Sequence, residues 1–294
     1  MAEAEPAGFA QTYGVEILYE TPLAIDGEEL LRAVRVRRPA AQPLGDLGAG
    51  GGEVKTLGFV HPDHAVELSG AVIRPQTFLL ATDAPLRLTA MMEDHLGQSW
   101  SFPDARQAFA RRRSSALLTD MMTGSLDYQA RIEIFEDVLA AVLQVAPALA
   151  IHWWPAGRFV DPAIWLEAYR EGGADRLFAG AMNVRFYKIS DSPGDMLMDT
   201  LGLAALGVRD LQCHFRDLDP SEVATLLANT GCYLFDEGDL IADGHTIEGL
   251  TPGSRWMCRH EDSILNPARI VLNVDPGPPH TAAGRADRDQ GGGG

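Results

Sequence analysis

His152, Asp199, Asp243 and His245 are the side chains of this sequence best suited to moving a proton, two imidazoles and two carboxylates that an acid–base cleft would need within hydrogen-bond reach of one another. Ile151-His152-Trp153-Trp154-Pro155 adds two large aromatics beside one of the histidines at a strand end, where Trp153 and Trp154 could wall a pocket. The competing reading is a core edge with the indole N–H satisfied locally. Asp199 or Thr200 stands where a strand gives way to a short helix and can accept the free N–H groups of its first turn. Gly207 is placed to end that helix in the left-handed conformation, and Asp210 opens the strand beyond. Thr200 and Asp210 are therefore binding candidates as well as parts of a strand–helix–strand joint.

Other patterns carry less chemistry. Lys55-Thr56 follows a glycine run, but Val54 replaces the glycine a phosphate-binding loop needs before its lysine, and Thr56 to Val60 reads as a strand instead of a helix. Cys213-His214, Cys232 and Cys258-Arg259-His260 lack a paired Cys-x-x-Cys, and on a strand Cys213 and His214 point to opposite faces. Buried thiols are the expectation, with no metal and no cofactor. His61-Pro62-Asp63-His64 has the composition of a turn. No Gly-x-Ser-x-Gly nucleophile elbow occurs.

The elements that would position these residues follow from periodicity. Val15, Ile17 and Tyr19 alternate in a first strand, and Asp26 opens a helix with Glu28 and Glu29 in its positive first turn. The longest helix is expected over 126–145, with Ile132, Phe135, Val138, Leu139, Val142 and Leu143 on its buried face and Arg131, Glu133, Glu136 and Asp137 mostly elsewhere. A helix from Pro220 to about Asn229 is followed by Tyr233-Leu234-Phe235 as strand, and a hairpin is expected to turn at Asp243-Gly244 between 240–241 and 246–247. The whole reads as α+β: mixed, largely antiparallel sheets with packed helices, in two intimately associated α/β halves. The boundaries are a flexible 1–11, an N-terminal half 12–171 with a mobile Gly/Pro loop at 39–53, a C-terminal half 172–275 and a disordered tail 276–294.

Asp199-Thr200-Leu201-Gly202-Leu203, then Gly207 with Asp210-Leu211-Gln212, then Asp243-Gly244-His245-Thr246-Ile247, resembles the bacterial DUF4261 family, a domain of unknown function. Ser115 to Asp120, Ala150 to Trp153 and Asn183-Val184-Arg185 resemble longer members, which extends the similarity to about residues 12–275. The resemblance implies a soluble bacterial α+β protein and supplies no catalytic residues.

Length, composition and charge narrow the function. The 294 residues, 46% hydrophobic and 22% charged, suit a folded chain of one large domain or two smaller ones. A formal charge of −17, spread over both halves, opposes nucleic acid and anionic membranes as partners. No basic region precedes an apolar run near residue 1, so a cytoplasmic location is expected. The leading expectation is a non-enzymatic binding or accessory protein, in the manner of an immunity factor, whose acidic surface receives another protein. Its oligomeric state is left open by the sequence. The alternatives are a hydrolase built on the His and Asp groups above and a small-ligand sensor.

Overall fold

The computed structural model describes residues 12–45, 47, 56–68, 70–82, 86–190 and 192–282. They form two compact units, the first ending at Ala181 and the second beginning at Met182. The expected flexible N-terminus, and residues 46 and 48–53 of the expected glycine-rich loop, lie outside the described residues.

The first unit runs β1 (Gly14–Tyr19), α1 (Gly27–Arg37), β2 (Gln42–Leu44), β3 (Thr56–Val60), β4 (Val66–Leu68), β5 (Ala71–Ile73), β6 (Gln76–Thr82), α2 (Ala90–Gly97), α3 (Ala105–Arg111), β7 (Ser114–Met121), α4 (Tyr128–Val145), β8 (Ala150–Trp153), β9 (Arg158–Val160), α5 (Pro162–Glu171) and α6 (Ala174–Ala179). Its main sheet has the order β2-β3-β6-β7-β1-β8-β9 with every pairing antiparallel, and β4 and β5 make a separate hairpin. The alternation of β1 sorts its two faces. Tyr13 meets Phe135 of α4 edge-on at 5.1 Å, while Leu18 packs with Met92, Leu96, Phe109 and Phe159 under α2 and α3.

Caps and apolar spacing account for the helices. Asp26 accepts from the N–H groups of Glu28 and Glu29, Asp127 from Gln129 and Ala130, and Asp161 from Ala163 and Ile164. The apolar face expected for α4 is buried in full, but so are Arg131, Glu136 and Asp137, placed by the sequence mostly on the outward side. The reason is that α1 and α5 also pack on α4, so its polar flank is enclosed and must be paired. Arg131 meets Asp120, Glu136 meets Arg176, and Asp137 meets Arg38 and Tyr169. The break expected at Gly172-Gly173 lies inside this unit. Both glycines take positive φ, 73° and 72°, and fold α6 back onto α5.

The second unit runs β10 (Asn183–Lys188), β11 (Asp195–Leu201), a single 3-10 turn at Ala204–Leu206, β12 (Asp210–Arg216), α7 (Pro220–Glu237), β13 (Thr246–Glu248), β14 (Arg255–Asp262) and β15 (Ile270–Asp275). Its sheet, β10-β11-β12-β15-β14-β13, is antiparallel except for the parallel pair β12–β15. With the first unit it gives seven α-helices and three sheets among the described residues, an α+β architecture in two sheet-based halves.

Two local expectations change here. Tyr233-Leu234-Phe235 continues α7, because Val223, Leu227, Gly231 and Leu234 sustain one buried helical stripe through that segment and override its strand propensity. Ile247 pairs with Trp256, so the hairpin joins β13 to β14 and does not reach back to residues 240–241. Asp243-Gly244 still turns, with Gly244 at φ 83°, and docks on β14 through the Gly244 N–H to Cys258 O hydrogen bond of 2.8 Å. Residues 276–282, expected in the tail, lie against β12 instead. The Arg216 N–H donates to His280 O, Thr281 bridges Phe215, and Ala282 is fully buried. Residues 283–294 of that tail are outside the described residues.

Candidate functional site

The register of the second sheet sets Arg185, Asp199, Gln212, Asn273 and Arg259 side by side across five strands. The first four are buried. Strand alternation sends Leu211, Cys213 and Phe215 to the opposite face, so β12 carries one polar and one apolar surface.

Asp199 is gripped from two sides. Arg185 on the neighbouring strand donates Nε at 2.9 Å to Oδ1 and Nη2 at 2.5 Å to Oδ2, the bidentate fork that a guanidinium and a carboxylate match best. Arg269, from the loop before β15, adds Nη2 at 2.8 Å to Oδ2 and gives the same nitrogen to Thr200 O. Its Nε reaches Asp210 at 2.9 Å, so one guanidinium ties both aspartates. Two carboxylates thus face two guanidinium groups, and the buried charge balances.

Asp210 carries out the task the sequence assigned to Asp199 or Thr200. Its Oδ1 accepts the Leu203 N–H at 3.1 Å and the Thr200 hydroxyl at 3.1 Å, while Oδ2 accepts the Ala204 N–H at 3.4 Å. The 3-10 turn is therefore capped from across the sheet. Asp199 is still inside β11, one strand position too early to face those N–H groups. Thr200 Oγ1 accepts the Leu211 N–H at 2.8 Å and so links the two strands directly. Gly207 ends the turn at φ 86°, left-handed as the sequence implies. Burial pushes the pKa of Asp210 up, against Arg269, and Arg185 is held above its ordinary value because Asp199 outweighs the cost of burying it.

The other acid–base candidates of this unit have different partners. Asp243 accepts the His260 N–H at 2.8 Å, and His245 Nδ1 lies 3.3 Å from the Ala242 N–H, so both serve the turn before β13. All three cysteines are buried and none forms a disulfide, and burial pushes the Cys258 thiol up to about 11.

In the first unit His152 is the middle member of a chain. Its Nδ1 lies 3.0 Å from Glu16 Oε2 and its Nε2 2.9 Å from His95 Nδ1 on α2, with the ring stacked on Phe159 at 4.4 Å. An ionised Glu16 accepts only, so it fixes a proton on His152 Nδ1, and His152 Nε2 and His95 Nδ1 share a single proton between them. Trp153 points the other way, fully buried, its indole N–H donating to the Tyr13 hydroxyl at 2.7 Å. It is core, whereas Trp154 is partly exposed on the turn to β9. His61 to His64 forms the expected turn, with His61 buried against Thr77 at 3.0 Å.

Sequence reasoning did not single out Arg269, His95 or Glu16 for the site, and used Arg185 only as part of a resemblance. Arg269 lies 59 positions from Asp210 and 70 from Asp199, so only the strand order brings it in. Among the described residues no group of three or more His, Cys, Asp or Glu side chains is arranged to hold a metal ion, and no helix is long and apolar enough to cross a membrane.

A mixed sheet clamped through two aspartates and two arginines thus defines the second unit. Residues 199–275 match the family described as Domain of unknown function (DUF4261), so this unit carries a DUF4261 domain that begins at Asp199 itself. The match covers the C-terminal part of the wider span suggested by the sequence. No curated protein and no solved structure matches the chain.

Proposed function

We propose that the protein is a binding or accessory factor that receives another protein on its acidic surface, with the DUF4261 signature serving to hold the fold. The observation that carries this reading is the saturation of Asp199 and Asp210 by Arg185, Arg269, Thr200 and two backbone N–H groups. Carboxylates so engaged have little hydrogen-bonding capacity left for a substrate. The charge of −17 favours a partner with a basic face and makes the encounter sensitive to salt. Affinity capture from the native host, followed by titration of the purified pair, tests the proposal. A stoichiometric complex whose affinity falls roughly tenfold or more between about 50 and 500 mM NaCl is expected. Absence of any reproducible partner, or a complex indifferent to salt, contradicts it.

One observation favours a hydrolase instead, the Glu16–His152–His95 chain, because a carboxylate orienting an imidazole is a general-base arrangement. Ester or phosphoester turnover that disappears in H95Q while the melting temperature holds would establish that reading.

A further inference from the structure

A cavity of about 290 Å³ opens in the first unit between β9, α5 and α6, and two helical stripes line it. On α5, Ile164, Glu167, Ala168 and Glu171 follow the three-and-four spacing of one face, and on α6 Asp175 and Phe178 stand three apart. The positive φ of Gly172 and Gly173 folds α6 back, so both stripes border the same cavity. Ile164 and Phe178 are exposed at 50% and 38%, and Glu167, Glu171 and Asp175 are exposed beside them.

This face is unfavourable for the chain alone. Two large apolar side chains stay in contact with water. Glu167 and Glu171 stand four apart on one helix, where like charges repel, and Glu171 sits at the negative end of the α5 dipole. None of Glu167, Glu171 and Asp175 forms an ion pair among the described residues. Asp161, which caps α5, adds a fourth carboxylate to the lining. Arg158, the cation of the lining, is committed through Nη1 to Phe178 O at 2.7 Å and through Nη2 to the Ser101 hydroxyl. It ties α6 and the loop after α2 to β9, and the lining keeps an excess of negative charge. An apolar side chain entering the cavity removes Ile164 and Phe178 from water, and cations beside it relieve the repulsion among the carboxylates. The volume is at the small end of ligand pockets and suits one large side chain projecting from a bigger molecule. We infer that this cavity is the docking point for a basic segment of a partner protein, with one leucine, phenylalanine or methionine side chain seated between α5 and α6 and lysine or arginine residues beside it on Glu167, Glu171 and Asp175. The inference rests on the reading of an acidic surface that receives a protein, and gives that surface a location.

Fluorescence anisotropy of the full chain with labelled peptides tests it apart from any partner captured from the host. The probes are acetylated alanine-based peptides with a central leucine, phenylalanine or methionine and a pair of lysines on either side. The controls carry serine at the centre, or glutamate in place of lysine. At least one apolar-centred probe is expected to bind at about 50 mM NaCl, with its serine counterpart weaker by roughly tenfold or more and its glutamate counterpart not binding. Glu167→Lys with Glu171→Lys should weaken that probe by roughly tenfold or more. Glu237→Lys with Asp262→Lys, the same change of charge at two carboxylates of the second unit, should alter it by less than about twofold. All four side chains are exposed, so the fold tolerates both variants. No binding of any probe at about 1 mM, equal binding of the serine control, or equal weakening in the two variants would overturn this docking site and leave the partner reading standing on the capture experiment. A captured partner whose affinity is unmoved by Glu167→Lys with Glu171→Lys would likewise overturn the site alone, whereas capture of no partner overturns the reading beneath it.

Discussion

Glu136 and His61, both buried in the first unit, carry opposite linkages to pH. Burial pushes Glu136 up from its ordinary 4.5 to about 7, with Arg176 opposing and Asp137 and Glu133 adding to the rise. Between those values the folded state binds the extra proton, so the contribution of Glu136 to stability is present below pH 4.5 and is lost as pH rises through about 7. Burial and the Arg38 guanidinium push His61 down from 6.5 to about 4. Its contribution is present above pH 6.5 and is lost as pH falls through about 4. The two slopes oppose each other over the interval they share. Urea midpoints measured from pH 4 to 8 are therefore expected to climb with pH in E136Q and to fall with pH in H61Q, relative to the parent chain. Identical profiles in the parent and both variants would show that neither group titrates as its burial requires. At this scale the sequence exposes residue types but not their partners: Glu136 reads as solvated because the three-and-four spacing of α4 marks one apolar face and cannot show that α5 encloses another.

Helices and strands were more legible than single side chains wherever caps and spacing agreed. Asp26, Asp127, Asp161 and Asp219 each cap the helix they precede. The spacing failed where a local preference and a longer pattern disagreed, as at Tyr233-Leu234-Phe235, and where strands pair over long distances, as between β12 and β15. Close approach between elements was also hidden. Gly180, the residue that ends α6, lies under Trp153, and a Cβ there would stand 2.4 Å from Cζ3 of the indole. Trp153 is fixed by Tyr13, Phe135 and Trp165, so it has no room to yield. Gly180→Ala should destabilise the protein by about 1–3 kcal/mol, the usual cost of overpacking, as a lowered urea midpoint with an unchanged slope. An unaltered midpoint would mean that the α6 end moves freely away from the sheet.

For the molecule as a whole, the mixture of strand and helix patterns indicated the α+β class and the charge count the acidity, while the division at Ala181 and Met182 and the clamp of the second unit came only with the strand order. The Asp199–Arg185–Arg269–Asp210 cluster joins β10, β11, β12 and the loop before β15, segments separated by up to 84 positions in the chain between Arg185 and Arg269. A cluster kept for the fold and one kept for chemistry respond differently to the loss of a member: removing one partner of a buried ion pair costs roughly 3–5 kcal/mol, whereas removing a strained functional group is often neutral or stabilising. Equilibrium urea unfolding of Asp199→Asn against the parent chain reads that difference directly. A loss of about 3–5 kcal/mol is expected, and an unchanged or raised stability would contradict the assignment of the DUF4261 signature to holding the fold.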